Sequence, residues 1–161
     1  MRNLPTPKDL AAIWAGVFPL SNAHGPPRQW IDLHSKSIIY NDHAFRVQRK
    51  GHAGIADHVG MWKHANPDFE MHVELVWPEL KKGGKVYMTF AFVGTGTYTN
   101  DLTSQYKASG KTFRYRGRLD LTINEDDGLI EVVDEYYPLH FDAGTSVDDY
   151  RKREEDNEFN A

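Results

Sequence analysis

The hydrophobic pattern of this chain changes its period at Asn66-Pro67, and this change constrains the fold more than any other feature of the sequence. Before it, apolar residues recur at helical spacing over residues 8–18 and 54–66; after it, residues 69–77 alternate between two faces as in a strand. A short helix is also predicted over residues 27–35, and further extended segments over residues 37–47, 85–99, 111–124 and 128–141. Helices followed by strands that meet through short loops predict an α+β domain with an antiparallel sheet.

Composition describes a folded domain and excludes several classes of protein. The chain has 161 residues, of which 40% are hydrophobic and 12% aromatic, so it can bury a core, and we expect one domain over residues 1–141. Because cysteine is absent, disulfide scaffolds and thiol catalysis are excluded. We see no signal peptide and no apolar run near the ~20 residues of a membrane helix, so we expect a cytoplasmic protein with no membrane partner.

The net charge of −4 is concentrated in an acidic C-terminal tail, residues 142–161. This tail contains seven acidic and three basic residues, which accounts for the whole net charge and leaves the rest of the chain formally neutral. Since phosphate backbones are bound by basic surfaces, we do not expect nucleic acid as a partner.

The motifs that mark common cofactor sites are missing from the sequence. None of its eight histidines forms a His-x-His or His-x-x-x-His pair, and His58 and His64, six residues apart, do not share a helix face, so no metal site is expected. Gly94-Thr95-Gly96 lacks a third glycine and leads into a loop and a strand, which does not support dinucleotide binding. We therefore expect no cofactor.

The last predicted strand carries two adjacent carboxylates, Asp134 and Glu135, among apolar residues. A carboxylate buried on such a strand has to be paired, protonated or used chemically. Alternation counted from Ile130 places Asp134 on the more hydrophobic face of the strand and Glu135 on the other. A β-bulge would reverse this assignment without leaving a mark in the sequence.

Three stretches of the chain resemble the NTF2-like superfamily, and within it the group of SnoaL-like polyketide cyclases and ketosteroid isomerases. Residues 92–102, Phe-Val-Gly-Thr-Gly-Thr-Tyr-Thr-Asn-Asp-Leu, resemble the family's Gly-Thr-x-Thr strand end and the loop after it. Residues 110–117, Gly-Lys-Thr-Phe-Arg-Tyr-Arg-Gly, resemble its next strand, and residues 128–137 resemble its closing strand. The similarity spans about residues 8–141 and excludes the acidic tail.

This resemblance implies a cone, in which a curved antiparallel sheet wraps around the N-terminal helices and encloses an apolar cavity. Enzymes of the group place a carboxylate in the cavity, where desolvation raises its pKa toward the working pH so that it can act as a general base. The family's cavity carboxylate directly precedes an aromatic pair, which in this chain corresponds to Glu135 before Tyr136-Tyr137. The resemblance therefore favours Glu135, whereas hydrophobic alternation favours Asp134.

Further residues complete the site that the resemblance implies. Tyr40, His43 or Tyr115 would polarise a carbonyl group by donating a hydrogen bond to a developing oxyanion. His43 would fit a surface loop equally well, and Tyr115 would fit the core. The polar residues 41–43 interrupt an extended segment and would enter the cavity as a loop. The expected cavity wall consists of Trp62, Phe69, Met71, Met88 and Phe90. Each of these residues would also suit plain core packing.

Several functions are compatible with the sequence. The first is acid/base cyclisation or isomerisation of an apolar, carbonyl-bearing small molecule from secondary metabolism. Dehydration or hydration in the same cavity is a second, and non-catalytic binding of a ligand or a protein is a third. A homodimer through the outer face of the sheet is expected from the family.

Charged side chains follow two of the predicted strands. Alternation places Glu70, His72 and Glu74 on the polar face of one strand, and Arg114, Arg116 and Arg118 on the polar face of another. We expect them to pair on a solvated outer face of the sheet, where each exposed pair contributes about 0–1 kcal/mol. If the arginines lined the cavity instead, they would bind an anion.

Overall fold

A computed structural model of the protein describes residues 4–138. The helices in this part of the chain are α1 Pro7–Leu20, α2 Arg28–Ile31 and α3 Gly51–Ala65. The strands are β1 His34–Asp42, β2 Val47–Lys50, β3 Glu70–Val76, β4 Leu80–Lys82, β5 Lys85–Thr97, β6 Thr112–Asn124 and β7 Ile130–Tyr136. The acidic tail and the boundary predicted at residue 141 lie outside the described residues, so the division into domain and tail stays a prediction.

The long helices begin and end at recognisable sequence signals. Helix α1 starts with a capping box, in which the Thr6 side chain accepts a hydrogen bond from the Asp9 backbone and the Asp9 side chain binds back to Thr6. Helix α3 ends just before Asn66, because the residue preceding Pro67 disfavours helical geometry. Helix α2 is shorter than predicted, since the chain enters β1 already at His34. Within residues 4–138, no helix is long and apolar enough to cross a membrane.

The strands form one curved sheet in the order β2-β1-β7-β6-β5-β3, with β4 paired to the edge of β5. This architecture confirms the predicted α+β fold, in which helices precede a curved sheet. The sheet is mixed, however, because β1 and β7 are parallel while the other pairs are antiparallel. The first and last long strands lie far apart in sequence, so nothing in the local pattern reports that they become neighbours. The predicted extended segment 37–47 is also divided, into β1 and β2.

A β-bulge in β7 reverses the faces that alternation from Ile130 predicted for the later residues of the strand. Ile123 pairs with Ile130, but the preceding Thr122 pairs with Val132, so Glu131 is an extra residue in the ladder. Beyond it the inward face of β7 carries Val133 and Glu135, both buried, while Asp134 faces outward. The hydrophobic alternation that favoured Asp134 was therefore wrong by one residue.

The three arginines of β6 lie on the outer face of the sheet. Arg116 forms an ion pair with Glu74 at 3.0 Å, and Arg118 forms one with Asp120 at 2.9 Å. The solvated arrangement predicted for these charges is confirmed, and the alternative of arginines lining the cavity was wrong. The homodimer expected through this face stays a prediction.

Candidate active site

A small cavity lies between helices α1 and α3 and the concave side of the sheet. Its volume is about 20 Å³, which is room for about one water-sized group. Helix α3 contributes His58 and Trp62, which share a face because they are four residues apart. The residues around the cavity are Phe18, Tyr40, His58, Val59, Trp62, Phe69, Tyr115, Glu135 and Tyr137.

The parallel pairing of β1 with β7 brings two carboxylates to the same inward face. Asp42 and Glu135 are partners in the register of the two strands, and both side chains are buried. The preceding pair, Asn41 and Asp134, points the other way, and the Asn41 amide donates to Asp134 Oδ1 at 3.0 Å. The strand register therefore separates a buried acidic pair from a solvated polar pair.

Glu135 is a buried carboxylate with a fixed hydrogen-bond donor. The hydroxyl of Tyr40 donates to its Oε2 atom at 2.8 Å. Burial raises the pKa of the Glu135 carboxyl above its usual range and the charge of Asp42 adds to this, while the nearby imidazole of His58 and the hydrogen bond from Tyr40 oppose it. A carboxylate with a raised pKa among aromatic side chains is suited to accept a proton from carbon.

His58 lies between the two carboxylates. Its Nε2 atom is 3.4 Å from Oδ2 of Asp42 and 3.8 Å from Oε2 of Glu135. Burial by itself lowers the pKa of His58, but its close polar and charge interactions with Asp42 and Glu135 outweigh burial and raise the pKa to about 9. At neutral pH the imidazole is therefore protonated and can donate a proton.

Asp42 also has a structural role at the end of β1. Its Oδ1 atom accepts the backbone N–H of Phe45 at 3.0 Å, which closes the turn after the strand. Its Oδ2 atom accepts the hydroxyl of Tyr137 at 2.8 Å. Burial raises the pKa of Tyr137 well above 10, so this hydroxyl stays protonated and remains a donor.

Tyr115 lines the cavity from strand β6. Its ring stacks on the ring of Tyr137 with centroids 4.9 Å apart. Among residues 4–138, its hydroxyl makes no hydrogen bond to another group of the protein. Burial raises the pKa of Tyr115 well above 10, so the hydroxyl is protonated and free to donate to a bound molecule.

Asp42, His58 and Glu135 are also positioned to bind a divalent cation. One potential ligand atom from each lies within 4.8 Å of the others. Spacing along the sequence did not indicate such a cluster, because its members come from two strands and a helix. Coordination would require the imidazole of His58 to give up its proton, so a metal ion and the protonated imidazole exclude each other at this position.

A larger pocket of about 390 Å³ lies directly outside the small cavity. The two share His58 and Trp62, and Asp42 also reaches the larger pocket. The rest of its wall is formed by the β1–β2 turn, strand β2, helix α3 and the loop between β5 and β6. These residues are Phe45, Val47, Arg49, Met61, Leu102, Thr103, Ser104, Gln105 and Tyr106. The buried cluster is therefore reached from a mostly apolar chamber.

Comparisons with known proteins identify the fold. Neither a scan against protein-family models nor a search of curated protein sequences found a match. Solved structures do match, among them a hypothetical protein with a ketosteroid isomerase-like fold from Catenulispora acidiphila, in complex with trimethylamine. It superimposes with a TM-score of 0.60 at 17% identity, over 85% of this chain and 90% of its own. An NTF2-like protein of unknown function from Exiguobacterium sp. 255-15 superimposes with a TM-score of 0.52 at 20% identity, over 70% and 82% of the two chains.

The protein has the NTF2-like fold. A candidate SnoaL-like polyketide cyclase from Jannaschia sp. CCS1 matches as well, with a TM-score of 0.57 at 15% identity over 83% of this chain and 93% of its own. The fold that the resemblance in sequence implied is thereby confirmed. At such low identity the likeness carries no residue roles and no reaction.

The NTF2-like cavity contains some of the predicted site residues and excludes others. Glu135, Tyr40, Tyr115, Trp62 and Phe69 line it. Their roles in catalysis or in substrate binding stay predictions.

Other predicted site residues lie outside the cavity. Asp134 and His43 are on the outer side of the sheet, where His43 Nε2 lies 2.8 Å from Asp134 Oδ1 and the His43 ring stacks on Tyr136. Alternation wrongly placed Asp134 in the cavity, because the bulge in β7 shifts its face. His43 was wrongly placed there because it follows Asp42, the inward-facing last residue of β1, in the turn after the strand. Met71, Met88 and Phe90 are buried in the core and do not line the cavity.

Sequence reasoning missed Asp42, His58 and Tyr137 as members of the site. The polar run at residues 41–43 did indicate that this segment approaches the cavity, but the segment is the end of β1, and Asp42 is the side chain that enters. His58 precedes Val59 and lies four residues before Trp62, so its position on the buried face of α3 was readable from helical spacing. Tyr137 belongs to the aromatic pair after Glu135 that already marked the closing strand.

Proposed function

We propose that this protein is a cofactor-independent enzyme that isomerises or cyclises an apolar small molecule bearing a carbonyl group. The observation that carries this proposal is the position of Glu135 in an aromatic cavity, hydrogen-bonded to Tyr40 and next to protonated His58. A base with a raised pKa and an acid of opposite charge within one small cavity are the parts that proton transfer needs.

In the proposed reaction, Glu135 takes a proton from the carbon next to the substrate carbonyl. The electron pair of the broken C–H bond moves into the carbonyl group, and the charge develops on its oxygen. Tyr115 donates a hydrogen bond to this oxygen and His58 stabilises it with its positive charge, in a site with few competing waters. When the enolate is conjugated with a double bond, return of the proton to its remote carbon gives an isomer. When the enolate carbon instead attacks a second carbonyl, a ring closes and the proton held by Glu135 passes to the oxygen of that carbonyl.

The dimensions of the two chambers determine how a substrate is placed. The inner cavity, of about 20 Å³, accepts only the reacting carbonyl end of a molecule. The outer chamber, of about 390 Å³, accepts the rest of it. His58 and Trp62 line both spaces, so the carbonyl group meets the proton-transfer residues where the chambers join.

Dehydration or hydration is a second candidate, and the size of the inner cavity favours it. A space for about one water beside a base and an acid could hold a leaving hydroxyl or an attacking water. For dehydration, the first step would be the same abstraction of a proton by Glu135, after which the enolate expels a hydroxyl group as water. Hydration is the reverse sequence, in which water adds first and the proton returns to carbon last.

Proton abstraction can be tested before the natural substrate is known. A panel of small cyclic ketones and enones is incubated with the protein in deuterated water containing EDTA, and exchange at the carbon next to the carbonyl is followed by proton NMR. We expect the wild-type protein to accelerate exchange for at least one compound. Glu135→Gln should reduce this rate by about 100-fold or more, within the range that general base catalysis contributes.

The matched control is Asp134→Asn, which removes the adjacent carboxylate on the outer face and should leave the exchange rate unchanged. The proposed mechanism is ruled out if Glu135→Gln folds normally and exchanges as fast as the wild type. Wild-type exchange that occurs in a parallel sample without EDTA and is lost with EDTA would contradict a cofactor-independent reaction. Ligand binding without exchange would favour the non-catalytic alternative.

A further inference from the structure

An arginine lies on the wall of the outer chamber, beside the proposed catalytic residues. Arg49 in β2 pairs directly with Tyr40 in β1. Directly opposed residues on neighbouring strands project to the same side of a sheet, so Arg49 lies on the concave side together with Tyr40. Its side chain is half-buried and lines the outer chamber with Asp42 and His58.

This arginine has no acidic partner among residues 4–138. Its Nη2 atom donates only to the thioether sulfur of Met61, at 3.4 Å, and its Nε atom is buried without a hydrogen-bond partner. A thioether is a weak acceptor. Several of the other arginines, such as Arg28, Arg116 and Arg118, form ion pairs on the surface. A half-buried guanidinium with unused donors is costly unless a ligand completes its hydrogen bonds.

We propose that Arg49 binds a carboxylate on the substrate, so that the substrate is an apolar carboxylic acid. This inference rests on the proposed function, because it assigns the outer end of the molecule whose carbonyl end reaches Glu135. The planar fork of a guanidinium matches a carboxylate with two parallel hydrogen bonds. The remaining wall of the chamber is mainly apolar, with Phe45, Val47 and Leu102 among its residues, and suits the body of such a molecule.

The charges on the chamber wall favour a ligand group with a single negative charge. Arg49 and His58 are the only cationic side chains on its described wall, and His58 already faces Asp42 and Glu135. One free guanidinium balances one carboxylate, whereas phosphate sites commonly combine several donors or cations.

The same charges determine the direction in which the substrate binds. Asp42 and Glu135 repel a carboxylate from the inner cavity, and Arg49 attracts it within the outer chamber. An apolar acid therefore enters with its carbonyl end toward His58 and its carboxylate toward Arg49.

Binding of matched aromatic probes tests this assignment without an assay of turnover. The probes are 2-naphthoate, the neutral 2-naphthamide of nearly the same shape, and 2-naphthyl phosphate, each titrated by isothermal calorimetry. The variants are Arg49→Met, which keeps an unbranched apolar side chain, and Arg114→Met, which removes an exposed arginine on the outer face as the matched control. Thermal melting confirms that each variant is folded.

We expect the wild type and Arg114→Met to bind naphthoate roughly tenfold or more tightly than naphthamide, as a hydrogen bond to a charged group allows. Arg49→Met should remove this preference by weakening naphthoate alone. Three results would overturn the proposal: no naphthoate preference in the wild type, equal weakening of both probes in Arg49→Met, or tighter binding of naphthyl phosphate than of naphthoate. Absence of naphthoate binding counts as the first of these.

The binding test of Arg49 does not depend on catalysis. Glu135→Gln should keep the naphthoate preference even though proton abstraction is lost. In the wild-type protein, a naphthoate preference without any exchange activity would reject the proposed function and keep the role of Arg49 in binding. Exchange activity without a naphthoate preference would reject only the role of Arg49.

Discussion

The hydroxyl of Tyr40 donates a hydrogen bond to Oε2 of Glu135 at 2.8 Å, although the two residues are 95 positions apart in the chain. The parallel contact between β1 and β7 makes this possible, because Tyr40 pairs with Val133, and Asp42 pairs with Glu135. The hydrogen bond holds the carboxylate in one orientation and stabilises its charged form. Loss of this hydrogen bond should therefore change the proton affinity of Glu135.

Replacement of Tyr40 by phenylalanine should move the pH dependence of proton abstraction. The hydrogen bond from Tyr40 lowers the pKa of Glu135 against the larger effect of burial, so its loss should raise that pKa further. Because the base acts in its ionised form, the acidic limb of the pH–rate profile should shift to higher pH in Tyr40→Phe. Tyr87→Phe, at an exposed position of β5, is the control. An unchanged acidic limb would contradict this coupling.

Replacement of Tyr115 by phenylalanine should slow the chemical step while leaving binding intact. Its free hydroxyl is the donor proposed for the developing oxyanion, and loss of one such donor costs about 10²–10³ in rate. Exchange rates at saturating ketone should fall by about this factor, whereas KM should change little. Tyr136→Phe removes a hydroxyl on the outer face and should behave as the wild type. A rise in KM with unchanged rate would assign Tyr115 to binding alone.

The charge on His58 should make stability depend on pH. Its pKa is about 9 in the folded protein and about 6.5 in an unfolded chain, so the folded state binds the proton more tightly. This contribution is fully present below pH 6.5 and is lost as the pH rises through 9. The free energy of unfolding in urea should therefore decrease between pH 6.5 and 9.

A difference between two variants isolates the contribution of His58. His58→Gln should flatten the decrease between pH 6.5 and 9, because it removes the group that titrates. His72→Gln, at an exposed position of β3, should retain it. The same pH dependence in His58→Gln and in the wild type would show that another group causes the decrease.

Addition of a methyl group at Gly94 should disturb the cavity wall. A Cβ atom at this position would lie 2.8 Å from Tyr115 and 3.0 Å from Phe69, two aromatic residues of the cavity. We expect Gly94→Ala to destabilise the protein by about 1–3 kcal/mol and to reduce exchange activity, because the rings have to move. Gly16→Ala, with open space around an exposed helical position, should instead stabilise by about 0.5–1 kcal/mol. Urea unfolding measures both, and a neutral Gly94→Ala would show that the rings can adapt.

Local pattern in the sequence was sufficient to predict most of the elements. Helical spacing predicted α1 and α3, and alternation predicted β3, because each pattern depends only on which side of one element is buried. The resemblance of the closing strand favoured Glu135 as the cavity carboxylate, and the structure places this side chain in the cavity. The short strand β2 was not separated from β1, and β4 was not predicted as a strand, since three or four residues carry too little pattern.

The sequence by itself determined an α+β chain with aromatic walls and a carboxylate near the end of its last strand, because these features depend on residue type and local period. Only the tertiary structure decided which carboxylate is buried, since a bulge at Glu131 changes the face of every later residue in β7. It also decided that Asp42 and His58 join Glu135. Their proximity arises from a parallel strand pair and a helix packed over it, contacts between distant segments that no local spacing records.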